Sequence, residues 1–192
     1  IPLLIRTCDD FQKAPSCISN LAGETGCDTV FINREYEVNE SARDDRVSLA
    51  CEQAGVALRR FHDRIIVPPK AISTKEGKFY SVFTPYRRVW DSTARETIET
   101  SPIPSKQPTI PLNRDPVPDS VAGFDFSKAR SDLWPPGEEE AQQRLGRFSN
   151  SISSYGVQRD IPSVRGTSLL SPYLNIGAIS ARQCFLKADK IL

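Results

Sequence analysis

Six prolines fall between residues 102 and 118, at positions 102, 104, 108, 111, 116 and 118, and no other feature constrains the fold as strongly. Proline donates no backbone hydrogen bond and holds the residue before it out of the helical region, so neither a helix nor an interior strand runs through such a stretch. With little hydrophobic periodicity besides, the segment reads as an extended linker. The chain in front of it and the chain behind it must therefore fold by separate patterns.

In front, strand and helix signals alternate. Pro2 to Arg6 reads as a buried strand, and Pro15 sits in the first turn of a helix reaching about Ala22, which Gly23 and Gly26 end. Asp28 to Arg34, rich in β-branched and aromatic residues, is a second strand. Asn39 is the expected N-cap of a helix from Glu40 to about Ala54, with Val47, Leu49, Ala50 and Ala54 on its apolar side and Gly55 as its stop. Val56 to Phe61 is a third strand. This β-α-β-α-β order predicts a parallel sheet with right-handed crossovers. Arg64 to Pro69 follows as a short edge or loop element, and Pro85 opens a helix to about Thr97. Behind the linker the pattern turns helical. Glu138 to Phe148 places Ala141, Leu145 and Phe148 at i, i+4 and i+7, residues 149–166 are irregular, and helices follow around Ser171–Ile176 and Ser180–Leu192. Ser180 and Gln183 form an S-x-x-Q capping box that fixes the last start.

Composition removes several function classes. Hydrophobic residues make up 39% and charged residues 26% of the 192, the proportions of a globular chain rather than a disordered or collagenous one. No apolar run approaches the ~18–20 residues that span a bilayer, and no signal peptide is visible. Five cysteines without a C-x-x-C pair suggest neither a zinc site nor a disulfide framework and fit a reducing interior. A net charge of +1 excludes a uniformly basic nucleic-acid binder. Residues 144–192 nevertheless carry seven basic side chains against two acidic ones, a local +5. Methionine is absent; the chain opens on the apolar run Ile1–Ile5 and closes on Asp189-Lys190-Ile191-Leu192, an unterminated helix. Both ends are therefore expected to be cut, leaving a fragment of a longer protein.

Three places can carry chemistry. Tyr36 to Asp44 follows a strand and enters a helix, where open α/β sheets bind ligands beyond their strand ends. Asn39 and Glu40 there either hydrogen-bond a polar heterocycle or form a helix cap with an acidic first turn. Thr167, Ser168 and Ser171 precede a helix that Pro172 starts, an arrangement that offers side-chain and backbone donors to a phosphate; a plain cap would need only one of the three. No P-loop is present. Tyr155, Arg159 and Asp160 lie just upstream, and Arg159 either contacts a nucleic-acid phosphate or pairs with a carboxylate at the surface. His62, the single histidine, has no recognisable Ser or Cys partner, which argues against a triad. Trp90 and Trp134 read as packing residues.

Four stretches together resemble the photolyase/cryptochrome family. Phe31 to Asp44 is similar to its "YEVNExARD" core, Phe83-Thr84-Pro85-Tyr86 to its "FTPF" turn, and Trp134 to Phe148 to its "WPxGE…L..F" helix. Tyr155 to Cys184 is similar to its "Y…RD.P…GTS.LSPYL..G.LS.RQC". They run in the family's order and resemble most its bacterial class I cyclobutane pyrimidine dimer photolyases. The resemblance implies a parallel-sheet, Rossmann-like α/β antenna domain over 1–100, incomplete at its N-terminus. An interdomain linker over 101–133 follows, then the beginning of an all-α FAD- and DNA-binding domain over 134–192.

By the same resemblance Tyr155 contacts FAD, and Thr167, Ser168, Leu169, Leu170 and Ser171 hold its phosphates. Arg159 meets the damaged DNA strand, and Asn39 and Glu40 bind a 5,10-methenyltetrahydrofolate antenna. The implied activity is that of a deoxyribodipyrimidine photo-lyase: the antenna passes excitation to reduced FAD, which donates an electron to a flipped-out pyrimidine dimer, and the electron returns once the cyclobutane ring has split. The parts of the helical domain that complete the flavin pocket fall beyond Leu192, so the 192 residues alone are expected neither to hold FAD nor to repair DNA. The resemblance further implies a monomer acting on UV-damaged DNA, away from membranes, in the bacterial cytoplasm and associated with the nucleoid. The alternative it carries is a cryptochrome, a blue-light receptor signalling through protein partners.

Overall fold

The computed structural model describes residues 3–191 apart from 100, 103 and 107–110. Its contacts divide the chain into two compact units, one of residues 1–63 with 102–126 and the other of residues 64–101 with 127–192. Residues 64–101 thus pack with the chain that follows the proline-rich stretch, whereas the linear reading grouped them with the first hundred.

In the first unit, a turn at Phe11–Lys13 is capped by the Asp10 carboxylate, which accepts from the backbone N–H groups of Gln12 and Lys13. It leads into α1, Ala14–Thr25, with Pro15 in its first turn. The helix ends at Gly26, whose φ of 64° suits a residue without a Cβ. Strand β1, Thr29–Asn33, pairs in parallel with β2, Ala57–Phe61, in the register Thr29 to Ala57 through Asn33 to Phe61. Helix α2, Val38–Gln53, connects them. Ala22, Val47, Cys51 and Val56 form the buried core, with Ile18, Val30 and Leu58 packed against it.

Two expectations change here. The strand expected at Pro2–Arg6 does not form over its described part, residues 3–6, and Pro2 lies outside the described residues. A strand needs a neighbour to complete its ladder; instead the Ile5 carbonyl accepts from the Asp115 N–H at 3.0 Å, and Leu3 remains 68% exposed. Leu49, expected on the apolar side of α2, is 55% exposed, because the buried stripe runs through Asp44, Val47 and Cys51 at i, i+3 and i+7. Asp44 is tolerated there because Arg43 donates to its Oδ1 at 2.7 Å.

In the second unit, Val67, Ile72 and Ala94 form a core with Ile66, Tyr80, Val89, Trp90 and Phe185 packed against it. Ala94 and Trp90 come from α3, Phe83–Thr97. Trp90 meets Phe185 edge-on at 5.7 Å, which supports its reading as a packing residue. A second core joins Ala141 and Leu145 of α4, Glu138–Ser149, to Leu170, Tyr173 and Ile179. The stretch expected to be irregular contains a short helix, α5, Tyr155–Gln158, braced where Tyr155 meets Phe148 edge-on at 5.8 Å. Helices α6, Ser171–Asn175, and α7, Ala181–Asp189, complete the unit. Both bonds of the Ser180/Gln183 capping box are present.

Candidate functional site

Among the described residues, each unit contains a cavity lined by polar side chains with unused hydrogen-bonding capacity, and the second unit also holds a mostly apolar one of ≈ 530 Å³ lined by residues such as Ile66, Pro68, Tyr86 and Trp90. In the first unit the cavity lies at the start of α2. Glu37, not Asn39, is the N-cap: its backbone is extended at φ −67° and ψ 151°, and its carbonyl accepts from the Ser41 N–H at 2.9 Å. Its carboxylate turns back to accept from the Tyr36 N–H at 3.0 Å. The helix therefore begins ahead of Asn39, and the Asn39 side chain is released from capping. Among the described residues neither Asn39 nor Glu40 forms a side-chain hydrogen bond or ion pair. With Phe11, Gln12, Asp45 and Arg46 they line a cavity of ≈ 690 Å³, inside the range of about 300–1,000 Å³ typical of small-molecule sites. Arg43 lies 5.3 Å from the centre of the Phe11 ring and donates at 2.9 Å to Glu35, holding one wall in place. Beyond the carboxyl ends of β1 and β2, Tyr36 and His62 stack at 5.9 Å, with the Tyr36 hydroxyl 2.7 Å from His62 Nδ1.

In the second unit the polar cavity lies between α4 and the Arg165–Leu169 loop and encloses ≈ 330 Å³. Arg144 and Arg147, one helical turn apart, both donate to Glu140 Oε1, at 2.7 and 2.8 Å. The Arg144 hydrogen bond, with that of Arg147, holds the Glu140 carboxyl below the usual carboxylate range. Arg144 also lies 4.8 Å from the Trp134 ring and 5.2 Å from the Tyr173 ring, so Trp134 packs against a guanidinium. The loop is fixed at both ends. Gly166 is buried so closely against Gln158 that a Cβ would stand 2.6 Å from the Gln158 Cβ and 2.7 Å from its carbonyl carbon and oxygen. At the other end Leu170 sits in the core. Between them Leu169 adopts φ 54°, a left-handed conformation unusual for a branched side chain and held by the fixed ends.

This geometry gathers part of the expected set. Thr167, Ser168 and Leu169 line the cavity, and the Thr167 and Ser168 hydroxyls have no hydrogen-bond partner among the described residues. Leu170 faces the core, which leaves only its backbone for a ligand, and Ser171 opens α6 outside the cavity lining. Helix α6 is only five residues long, with Leu170 rather than a hydroxyl residue at its N-cap. So short a helix contributes little dipole, and the attraction for an anion must come from the arginines and hydroxyls. Tyr155 stands beside the site on α5, and Arg159 lies 5.7 Å from the Tyr155 ring centre. Asp160, 3.4 Å from the Arg159 Nε, is the main reason that guanidinium holds its proton more firmly than usual.

Arg144, Arg147, Arg165, Phe148 and Ser151 complete the lining and were not singled out from sequence. Their signal was the collective +5 of residues 144–192 and the one-turn spacing of Arg144 and Arg147. A phosphate-bearing group fits this donor set of cations and hydroxyls. No His/Cys/Asp/Glu group suited to a metal occurs among the described residues, and none of their helices is long and apolar enough to cross a membrane.

The fold defines the class: a parallel α/β module joined to a set of helices. The sequence pattern of the DNA photolyase family matches residues 1–107, and the chain belongs to that family. It is 34% identical over 193 residues to a deoxyribodipyrimidine photo-lyase of Vibrio cholerae, covering 96% of this chain and 40% of the relative. The crystal structure of a bacterial class III photolyase from Agrobacterium tumefaciens superposes with a TM-score of 0.73 at 30% identity, covering 91% of this chain and 37% of that one. A cryptochrome from Synechocystis shares the fold, with a TM-score of 0.64 at 17% identity over 92% of this chain and 38% of its own. The chain thus spans about two fifths of the relatives it matches.

Proposed function

We propose that the protein carrying this chain is a deoxyribodipyrimidine photo-lyase, repairing cyclobutane pyrimidine dimers in UV-damaged DNA with FAD. The observation that carries the reading is the second cavity, where the unpartnered Thr167 and Ser168 hydroxyls face three arginines in a chain of the DNA photolyase family. These side chains would hold the flavin's phosphates together with the backbone of Leu169, Leu170 and Ser171, and Tyr155 would lie alongside the flavin. When bound, such a flavin supplies light-driven electron donation to a dimer turned out of the base stack. Arg159, more than half exposed, presents its charge to the phosphates of the damaged strand.

Asn39 and Glu40 would hold the antenna. An amino-pyrimidinone edge such as that of 5,10-methenyltetrahydrofolate presents adjacent N–H donors that a carboxylate accepts and an amide complements. The two polar cavities draw their linings from residues 11–46 and 144–169, on opposite sides of the 101–133 stretch in sequence, which supports an antenna role for the first compact unit and a flavin role for 134–192. A monomer in the bacterial cytoplasm, associated with the nucleoid, is the matching cellular form. The 34% identity to a photo-lyase, against a likeness of fold alone to cryptochrome, favours repair over signalling.

Binding to UV-irradiated and unirradiated duplexes tests the reading. The protein should prefer the irradiated duplex, and Arg159→Ala should weaken that binding and lower its salt slope by about 1 while flavin content is kept. Equal affinity for both duplexes would contradict it.

A further inference from the structure

Within the second cavity, the three arginines differ in what they are free to do. Arg144 is committed four ways: to Glu140, to the Leu133 carbonyl, and to the rings of Trp134 and Tyr173. Arg147 shares the same Glu140 carboxylate. Arg165 has no ion pair, hydrogen bond or ring contact among the described residues, and the cavity lining contains no carboxylate. Its charge is therefore unspent, next to the unpartnered hydroxyls of Thr167 and Ser168. Its backbone is well defined, because the following residue, Gly166, is buried against Gln158 and its N–H donates to the Val164 carbonyl at 2.8 Å. An exposed side chain on a fixed stem can close onto an anion with little reordering of the loop.

We propose that Arg165 is the positioning residue that neutralises the diphosphate of the flavin dinucleotide in this cavity, with Thr167 and Ser168 donating to the same oxygens. The inference rests on the FAD reading above and adds to it which cation meets the charge. A guanidinium suits the task because it stays protonated and presents paired N–H donors to phosphate oxygens.

The test titrates FAD and riboflavin, which lacks both phosphates, into the apo form of the protein carrying this chain and into its Arg165→Gln and Arg165→Lys variants. Arg165→Gln should weaken FAD binding about tenfold, the size of one charge-assisted contact, and leave riboflavin binding unchanged, while Arg165→Lys should recover part of the loss. Unchanged FAD affinity in Arg165→Gln overturns the inference and leaves the FAD reading intact. Equal losses for FAD and riboflavin also overturn it, since they would report a distorted pocket. Weaker binding to damaged DNA with unchanged FAD affinity would reassign Arg165 to the nucleic acid. Failure of the unsubstituted protein to bind FAD removes both readings.

Discussion

Gly166 and Cys8 show how much a single side chain, or its absence, fixes in this chain. The atoms that a Cβ at position 166 would strike belong to the Gln158 backbone and Cβ, which cannot swing aside. Gly166→Ala should therefore destabilise the protein by about 1–3 kcal/mol in denaturant unfolding, with flavin content falling too as Thr167 and Ser168 are displaced. A loss below about 0.5 kcal/mol, the size of an ordinary surface change, would contradict the close approach. Cys8 carries a separate prediction. A hydrogen bond with Cys17, aided by burial and by the charge of Cys17, pushes the Cys8 thiol up to about 11. The thiolate is the reactive form, so at pH 8 almost all of Cys8 is protonated and inert. Iodoacetamide at pH 8, followed by peptide mass mapping, should label the exposed Cys27 before Cys8, and Cys8 labelling should rise steeply as pH climbs toward 11. Labelling of Cys8 first at pH 8 would refute the assignment.

At the scale of the element, the features read correctly from sequence are those whose causes lie within a few residues. The Ser180/Gln183 capping box is local chemistry, and both of its bonds form. Ser180→Ala should accordingly cost about 1 kcal/mol in thermal or chemical unfolding, with the helical signal of α7 lost first; an unchanged midpoint would contradict the cap. Helices α1, α3 and α4 lie within a few residues of where proline, glycine and periodicity place them. Features that depend on distant partners were not legible. The expected first strand had the right residues but no ladder to join over 3–6, and its nearest backbone partner, Asp115, lies far along the chain. The start of α2 was misplaced because Glu37, without a capping bond, takes the extended conformation that a polar Asn39 was expected to take. At the second cavity the hydroxyls form a run legible in sequence, whereas what sets Arg165 apart is three-dimensional: Glu140 occupies Arg144 and Arg147 and leaves Arg165 uncommitted among the described residues.

Across the whole molecule, each of the two units carries a polar cavity among its described residues, and the contents of the two differ in kind. One offers two amides, two carboxylates and an aromatic ring beside a single guanidinium, that of Arg46, as suits a neutral or amino-bearing heterocycle. The other offers guanidinium and hydroxyl groups, as suits a phosphate. Such a division matches the antenna and flavin sites proposed above for a chain of the DNA photolyase family. The activity proposed above for the protein carrying this chain is the light-driven reversal of pyrimidine dimers. Its most direct test mixes that protein, with its flavin reduced, and an oligonucleotide bearing a single thymine dimer, then compares illuminated and dark samples for the intact thymines. Thymines should be restored under near-UV or blue light and not in the dark; equal dimer content in both samples, with flavin bound, would overturn the proposal.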